Sequence, residues 1–302
     1  MTPAGDATGE GAGRVARVPA SSANLGPGFD TLAVALGLYV EVELRPREEG
    51  LLVVAEGEGA HLPGGASHLA ARVARGVLGH DRFELHVRSD IPVARGLGSS
   101  AALTVAAAAV AGAQCPDEAF EVGFRVDGHP ENAAASAFGG LVAAAVIGGL
   151  PVARHLELDP ELRFVVVVPD RELPTAEARQ ALPSSVPLGD AVFNLSRLGL
   201  LVAGLADRRL LVPEAGDDRL HQPARSALFS EAEALLVGLR RAGALTSCWS
   251  GAGPSLVALS DAGAAEGLCA SARALMASLG VPGEALVLGA DHAGVQVTGT
   301  LG

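Results

Sequence analysis

No lysine occurs anywhere in the 302-residue chain; all 22 basic residues are arginine. That absence excludes every mechanism built on a lysine: a Walker A phosphate loop, a Schiff-base aldolase, a pyridoxal-phosphate enzyme, a typical protein kinase. The arginine bias itself is accounted for by genomic base composition. Aromatic residues make up only 3% of a chain that is 49% hydrophobic, so the core must be built from Ala, Val and Leu. The three cysteines, Cys115, Cys248 and Cys269, are far apart and form no CxxC pair. This excludes a disulfide framework or a zinc ribbon and fits a reducing cytoplasm. No stretch reads as a membrane span, since the most apolar run, Ala101 to Ala113, is alanine-dominated and too short. The opening "MTPAGDATGEGAGR" has no apolar core, so it is not a secretory signal. Residues 1–13 read as a disordered leader or a mis-assigned start. A net charge of -12 argues against nucleic-acid binding, because phosphate backbones repel an acidic surface. It says little about small anions, which need only a local positive field.

The length predicts one large domain or two closely packed ones. Alternating "LYVEVELRP" and "FELHVRS" predict strands with one wet face, and "LLVVAEGEG" a third strand. "SHLAARVARGVLG" predicts a helix with a serine start and a glycine stop. Helices follow at Ser100 to Ala113, in "DEAFEVGFRVDG" and in "PENAAASAF", then "GGLVAAAVIGG" as a buried strand. "RFVVVVPD" starts a second unit, which sets the expected domains at 14–160 and 161–302. There the pattern predicts helices near Thr175 to Ala181, Asp190 to Asp207, Ser230 to Ala242 and Ala262 to Leu279. Strands are predicted at "ALTSCWS", "SLVALS", "EALVLGA" and "GVQVTG". The elements lack a regular β-α-β alternation, which predicts an α+β fold with mixed sheets.

Four stretches carry chemistry. In "PVARGLGSSAAL", Gly96 and Gly98 allow positive φ and close approach to a ligand, ahead of a helix whose first amides form an anion site. Ser99 and Ser100 add hydroxyls for phosphate or Mg²⁺. By itself this is equally a capped helix after a glycine turn. In "VPASSANLGPGFDTL", Asn24 and Asp30 sit on a loop suited to binding amine and hydroxyl groups, although by itself the stretch reads first as a tight connection between strands. In "DGHPENAAASAFGG", His129 and Asn132 share one face of a helix start, with Pro130 in its first turn. "SCWSGAGPSLVAL" is a glycine turn between two strands, by itself an ordinary hairpin. Thr175 and Arg179 stand one helical turn apart, and Arg225 follows in "RLHQPARSAL". A guanidinium grips a carboxylate through two hydrogen bonds, although most arginines are merely solvated.

Taken together, "PASSANLGPGFD", "PVARGLGSSAA", "GHPEN" and "SGAGPS" resemble the GHMP kinases in order and separation, over nearly the whole chain from about Val15. That family's ATP loop uses no Walker lysine. "PASSANLGPGFD" looks like the branch that phosphorylates homoserine, rather than those whose first motif ends in Gly-Glu-His. "HPEN", "PTAEAR" and "LHQPAR" resemble further motifs of that branch, with Glu131, Pro174 and Ala224 as departures. The resemblance implies a first domain like domain 2 of ribosomal protein S5, followed by a ferredoxin-like domain, with the active site between them. It implies ATP-dependent phosphorylation of the side-chain hydroxyl of L-homoserine, feeding threonine biosynthesis in the cytoplasm.

On that resemblance the nucleotide is assigned to Pro92, Arg95, Gly96, Leu97, Gly98, Ser99, Ser100, Ala101 and Ala102. Mg²⁺ is assigned to Ser100 and Glu121, eight residues before His129. Arg179 and Arg225 would clamp the acceptor carboxylate, Asp30 would take its ammonium or hydroxyl, and Asn24, His129, Asn132 and Thr175 would orient the rest. Asp30 and Asn132 are the candidates for positioning the attacking hydroxyl, without full prior deprotonation. Two readings stay open: another hydroxylated metabolite as acceptor, and a non-catalytic nucleotide-binding regulator of the same fold. The paired arginines favour an acceptor with a carboxylate, and retained metal ligands favour catalysis. A dinucleotide-binding oxidoreductase is disfavoured, because "GLGSS" lacks the third fingerprint glycine. A homodimer is one assembly left open.

Overall fold

The computed structural model describes residues 13–300, so the expected leader lies outside the described residues apart from Gly13. The chain opens with β1 (Arg14–Ala23) and β2 (Leu32–Pro46), paired antiparallel. The alternation seen in the sequence is realised in β2, where Val40, Val42 and Leu44 are buried while Glu41 faces solvent. Next come β3 (Leu51–Gly57), α1 (Leu69–Leu78) and β4 (Phe83–Ser89). Gly79 stops α1 at φ 76°, as predicted, but the residue before the helix is His68, and Ser67 instead donates to Gly64 O. Then follow α2 (Ser99–Ala111), α3 (Pro116–Asp127) and α4 (Pro130–Phe138). Alanine on all sides lets α2 sit buried among α1, α3, β1 and β2.

The expected buried strand is β5 (Leu141–Ile147), but only its first half is covered. Along its whole length it forms a hairpin with β6 (Leu150–Leu156), a strand the pattern did not predict. A second sheet follows, from β7 (Leu162–Pro169), β8 (Thr246–Trp249), β9 (Leu256–Asp261) and β10 (Gly283–Leu288), in order β10-β7-β9-β8 and fully antiparallel. Between β7 and β8 lie α5 (Thr175–Gln180), α6 (Leu188–Ala206), α7 (Gln222–Ser226) and α8 (Ala232–Arg241), and α9 (Ala265–Ser278) precedes β10. This is the β-α-β-β-α-β arrangement of a ferredoxin-like unit with extra helices in its first crossover.

The last strand, β11 (Gln296–Thr298), returns to the first sheet and pairs with β1. The fold is therefore α+β, with two sheets sharing one interior. β7 shows why its sequence is apolar without alternation. Phe164 and Val166 pack into the core of the first unit, while Val165 and Val167 pack against α8 and α9. Among the described residues α6 is the helix long and apolar enough to cross a membrane by length and composition, contrary to the expectation of none. In the fold, Asn194, Leu201, Gly204 and Leu205 bury one of its faces.

Candidate active site

A cleft of about 680 Å³ runs between the two units, from the glycine loop to the region of Asp30 and Arg225. The loop before α2 reaches it through positive φ at Ala94, Gly96 and Gly98. A Cβ on Gly98 would collide with Ser21 Oγ, and one on Gly96 with the carbonyl of Ser250, so both positions require glycine. Ser250 Oγ donates to Gly96 O at 2.7 Å, which fastens the β8–β9 turn to the loop. That turn is thus more than a hairpin.

No side chain caps α2, so its first amides point into the cleft with the positive end of the helix dipole. Pro92, Arg95, Gly96, Leu97, Gly98, Ser99, Ser100 and Ala101 all line the cleft. Ala102 does not: it is fully buried, and its amide makes the helix's first bond, to Gly98 O. The Arg95 guanidinium is spent on the carbonyls of Pro169, Asp170 and Val93, holding the loop to the end of β7.

Glu121 is not brought to this site. It lies on the exposed side of α3, six residues or about 9 Å of helix before the end that meets the cleft. The carboxylate that reaches Ser100 is Asp127, whose Oδ1 accepts from Ser100 Oγ at 3.1 Å. Burial pushes the Asp127 carboxyl above its ordinary value, with Ser100 pulling the other way. Among the described residues no three His, Cys, Asp or Glu side chains gather as a metal cage. One serine and one aspartate facing a helix N-terminus still suit Mg²⁺, which keeps waters and takes its remaining ligands from phosphates.

At the other end Asp30, itself at φ 50°, receives Arg179 bidentately at 2.7 and 3.2 Å. Arg225 is buried, and its Nη1 donates to Gly251 O at 2.8 Å and to His221 Nδ1 at 2.9 Å. Asn24 lies beside them, but its amide serves the scaffold. Nδ2 donates to Gly251 O at 2.8 Å, and Oδ1 accepts the Asp30 amide at 3.0 Å. Asn132 Oδ1 accepts from Ser21 Oγ at 2.9 Å, which fixes the orientation of its amide. His129 and Thr175 line the same space. Burial and the nearby Arg179 hold the His129 pKa below its ordinary value, against the pull of Asp30.

Glu131, noticed in the sequence only as a departure from a motif, lines the cleft while 3% exposed, and its Oε2 has no hydrogen-bond partner. Burial pushes its carboxyl up from 4.5 to about 7. Between those values the folded protein keeps a proton that the unfolded chain has lost, so stability falls as pH rises through that window. The total loss is about 3 kcal/mol. Glu131→Gln is therefore expected to melt higher than wild type at pH 8 and to lose this slope. Thermal denaturation from pH 4.5 to 8 checks this, and parallel curves for the two proteins would contradict it.

A family model described as GHMP kinases N terminal domain matches residues 61–140, and one described as GHMP kinases C terminal matches 200–278. A homoserine kinase of Thermus thermophilus is 44% identical over 282 residues, spanning 90% of this chain and 94% of that protein. That of Mycolicibacterium vanbaalenii is 40% identical over 294 residues, with 91% and 88% covered. A crystal structure of homoserine kinase from Cytophaga hutchinsonii superposes with a TM-score of 0.84 at 27% identity, covering 98% of this chain and all of that one.

Proposed function

The chain belongs to the GHMP kinase family, and we propose that it transfers the γ-phosphoryl group of ATP to the side-chain hydroxyl of L-homoserine. The observation that carries this reading is the charge pattern at the acceptor end of the cleft. A buried arginine with only neutral hydrogen-bond partners, Arg225, stands beside a half-buried aspartate–arginine pair, Asp30 and Arg179. This arrangement matches a zwitterion. The acceptor carboxylate takes Arg225 and shares Arg179, and the acceptor ammonium takes the Asp30 carboxylate that Arg179 releases. A sugar or a plain alcohol would leave the Arg225 charge buried without an anion.

Phosphoryl transfer needs in-line placement and neutralisation of charge more than covalent chemistry from the protein. The first amides of α2 and Ser99 would hold the phosphates, and Ser100 with Asp127 would hold Mg²⁺. Held there, the ion would supply neutralisation of charge on the phosphate oxygens. Asn132, oriented by Ser21, offers its remaining Oδ1 lone pair to the acceptor hydroxyl. A carboxamide cannot take up a proton at neutral pH, so Asn132 aims the nucleophile and does not deprotonate it. The nucleotide's base would occupy the apolar end of the cleft, near Leu62, Leu69 and Val93. On this reading the product feeds threonine synthesis in the cytoplasm.

ADP release measured with homoserine, serine, threonine and mevalonate as acceptors tests the proposal. Homoserine is expected to give the highest kcat/KM, and absence of homoserine-dependent turnover would overturn it.

A further inference from the structure

One fully buried imidazole has no part in the transfer just described. His221 precedes α7 and has no exposed surface. Its Nε2 lies 2.8 Å from Gly26 O, and its Nδ1 lies 2.9 Å from Arg225 Nη1. A carbonyl only accepts and a guanidinium only donates, so these two contacts fix the tautomer. Nε2–H donates to Gly26 and the Nδ1 lone pair accepts from Arg225. The ring also stacks on Phe29, with centroids 5.1 Å apart, immediately before Asp30 in the chain.

Burial keeps the imidazole neutral, and a buried carboxylate anchors the backbone that carries it. Burial presses its pKa well below the ordinary value, and the Arg225 charge adds to this against the pull of Asp218 and Asp30. The Asp218 carboxylate accepts the backbone amides of His221 and Gln222 at 2.7 Å each, and Asn194 Nδ2 of α6 at 2.6 Å. The imidazole is thereby anchored from the second unit while it touches the loop of the first.

We propose that His221 is a positioning residue that sets the spacing of the acceptor site, through hydrogen bonds joining Arg225 to the Gly26–Asp30 loop. Arg225 takes the acceptor carboxylate and Asp30 its ammonium, so the bridge between them decides which hydroxy amino acid presents its hydroxyl in line. This inference rests on the homoserine reading. It adds that discrimination between homoserine and serine, one methylene shorter, depends on a residue that touches neither.

His221→Asn keeps an acceptor near the Nδ1 position for Arg225 and loses the donor to Gly26. His221→Gln keeps a donor near Nε2 and loses the acceptor. In either variant, loss of one hydrogen bond is expected to raise the KM for homoserine about 10-fold and to shrink the homoserine-over-serine ratio of kcat/KM by a similar factor. The KM for ATP and the kcat with homoserine are expected to change little. His221→Phe keeps the stack on Phe29 and loses both bonds, so its effect should exceed either. Should it fail to fold, the two amide variants still decide the matter.

A purely structural role would lower the melting temperature and the amount of active enzyme while leaving the homoserine KM and the acceptor ratio unchanged. That result in folded His221→Asn and His221→Gln would overturn the proposal. Wild-type protein inactive with homoserine would instead overturn the reading beneath it, so the two failures are distinguishable.

Discussion

Arg225→Met is expected to lower kcat/KM for homoserine about 10³-fold while leaving the KM for ATP near its wild-type value. The guanidinium is 2% exposed, and its hydrogen-bond partners in the free protein are a carbonyl and a neutral imidazole. Its Nε has none. Burial, with Arg179 nearby, pushes its pKa down to about 10, the mark of a cation held short of counter-charge. A bound carboxylate supplies that charge through two charge-assisted hydrogen bonds, together about 4 kcal/mol, which is about 10³-fold in affinity. Methionine fills similar space and removes the buried charge, but it leaves the buried His221 Nδ1 without its donor, so the two effects on the free protein oppose each other. The melting temperature of the unliganded variant is thus expected to stay close to that of wild type. Saturation curves for each substrate and a thermal melt check both halves. An unchanged homoserine KM would remove Arg225 from the acceptor site.

The parts of this site that were legible in the sequence are those whose chemistry is local. Gly96 and Gly98 announce a loop free to adopt positive φ, and both do so where the loop lines the cleft. The alternation of β2 needs only one buried face, so it too was readable. What could not be read depends on tertiary closure. Asn24 looks like a free amide on a polar loop, yet the β8–β9 turn, more than 200 residues away, takes its Nδ2. Arg95 looks like a phosphate ligand because of its place in the loop, but β7 ends beside it with carbonyls in need of donors. β6 has mixed, half-exposed positions and no clean period, and α7 has only five residues, too few for a periodic signal. His221 stands in the same short motif as Arg225, and a lone histidine there gives no hint that it bridges two units.

Asp127→Asn is expected to lower kcat/KM about 10²–10³-fold, whereas Glu121→Gln is expected to leave it unchanged within about twofold. Counting eight residues back from His129 points to Glu121, but a helix shows different faces to different neighbours along its length. α3 packs on α2 and α4, and only its last turn meets the glycine loop. There Asp127 shares a hydrogen bond with Ser100, the hydroxyl assigned to the metal, while Glu121 faces solvent. Asparagine keeps the shape and one oxygen but not the charge, so a deficit in Asp127→Asn reports electrostatics rather than packing. The Mg²⁺ dependence of the rate separates the cases further. Losing a ligand should raise the Mg²⁺ concentration needed for half-maximal rate in Asp127→Asn and leave Glu121→Gln on the wild-type curve. A raised Mg²⁺ requirement in Glu121→Gln, with Asp127→Asn unaffected, would return the metal to the residue that counting along the chain selects.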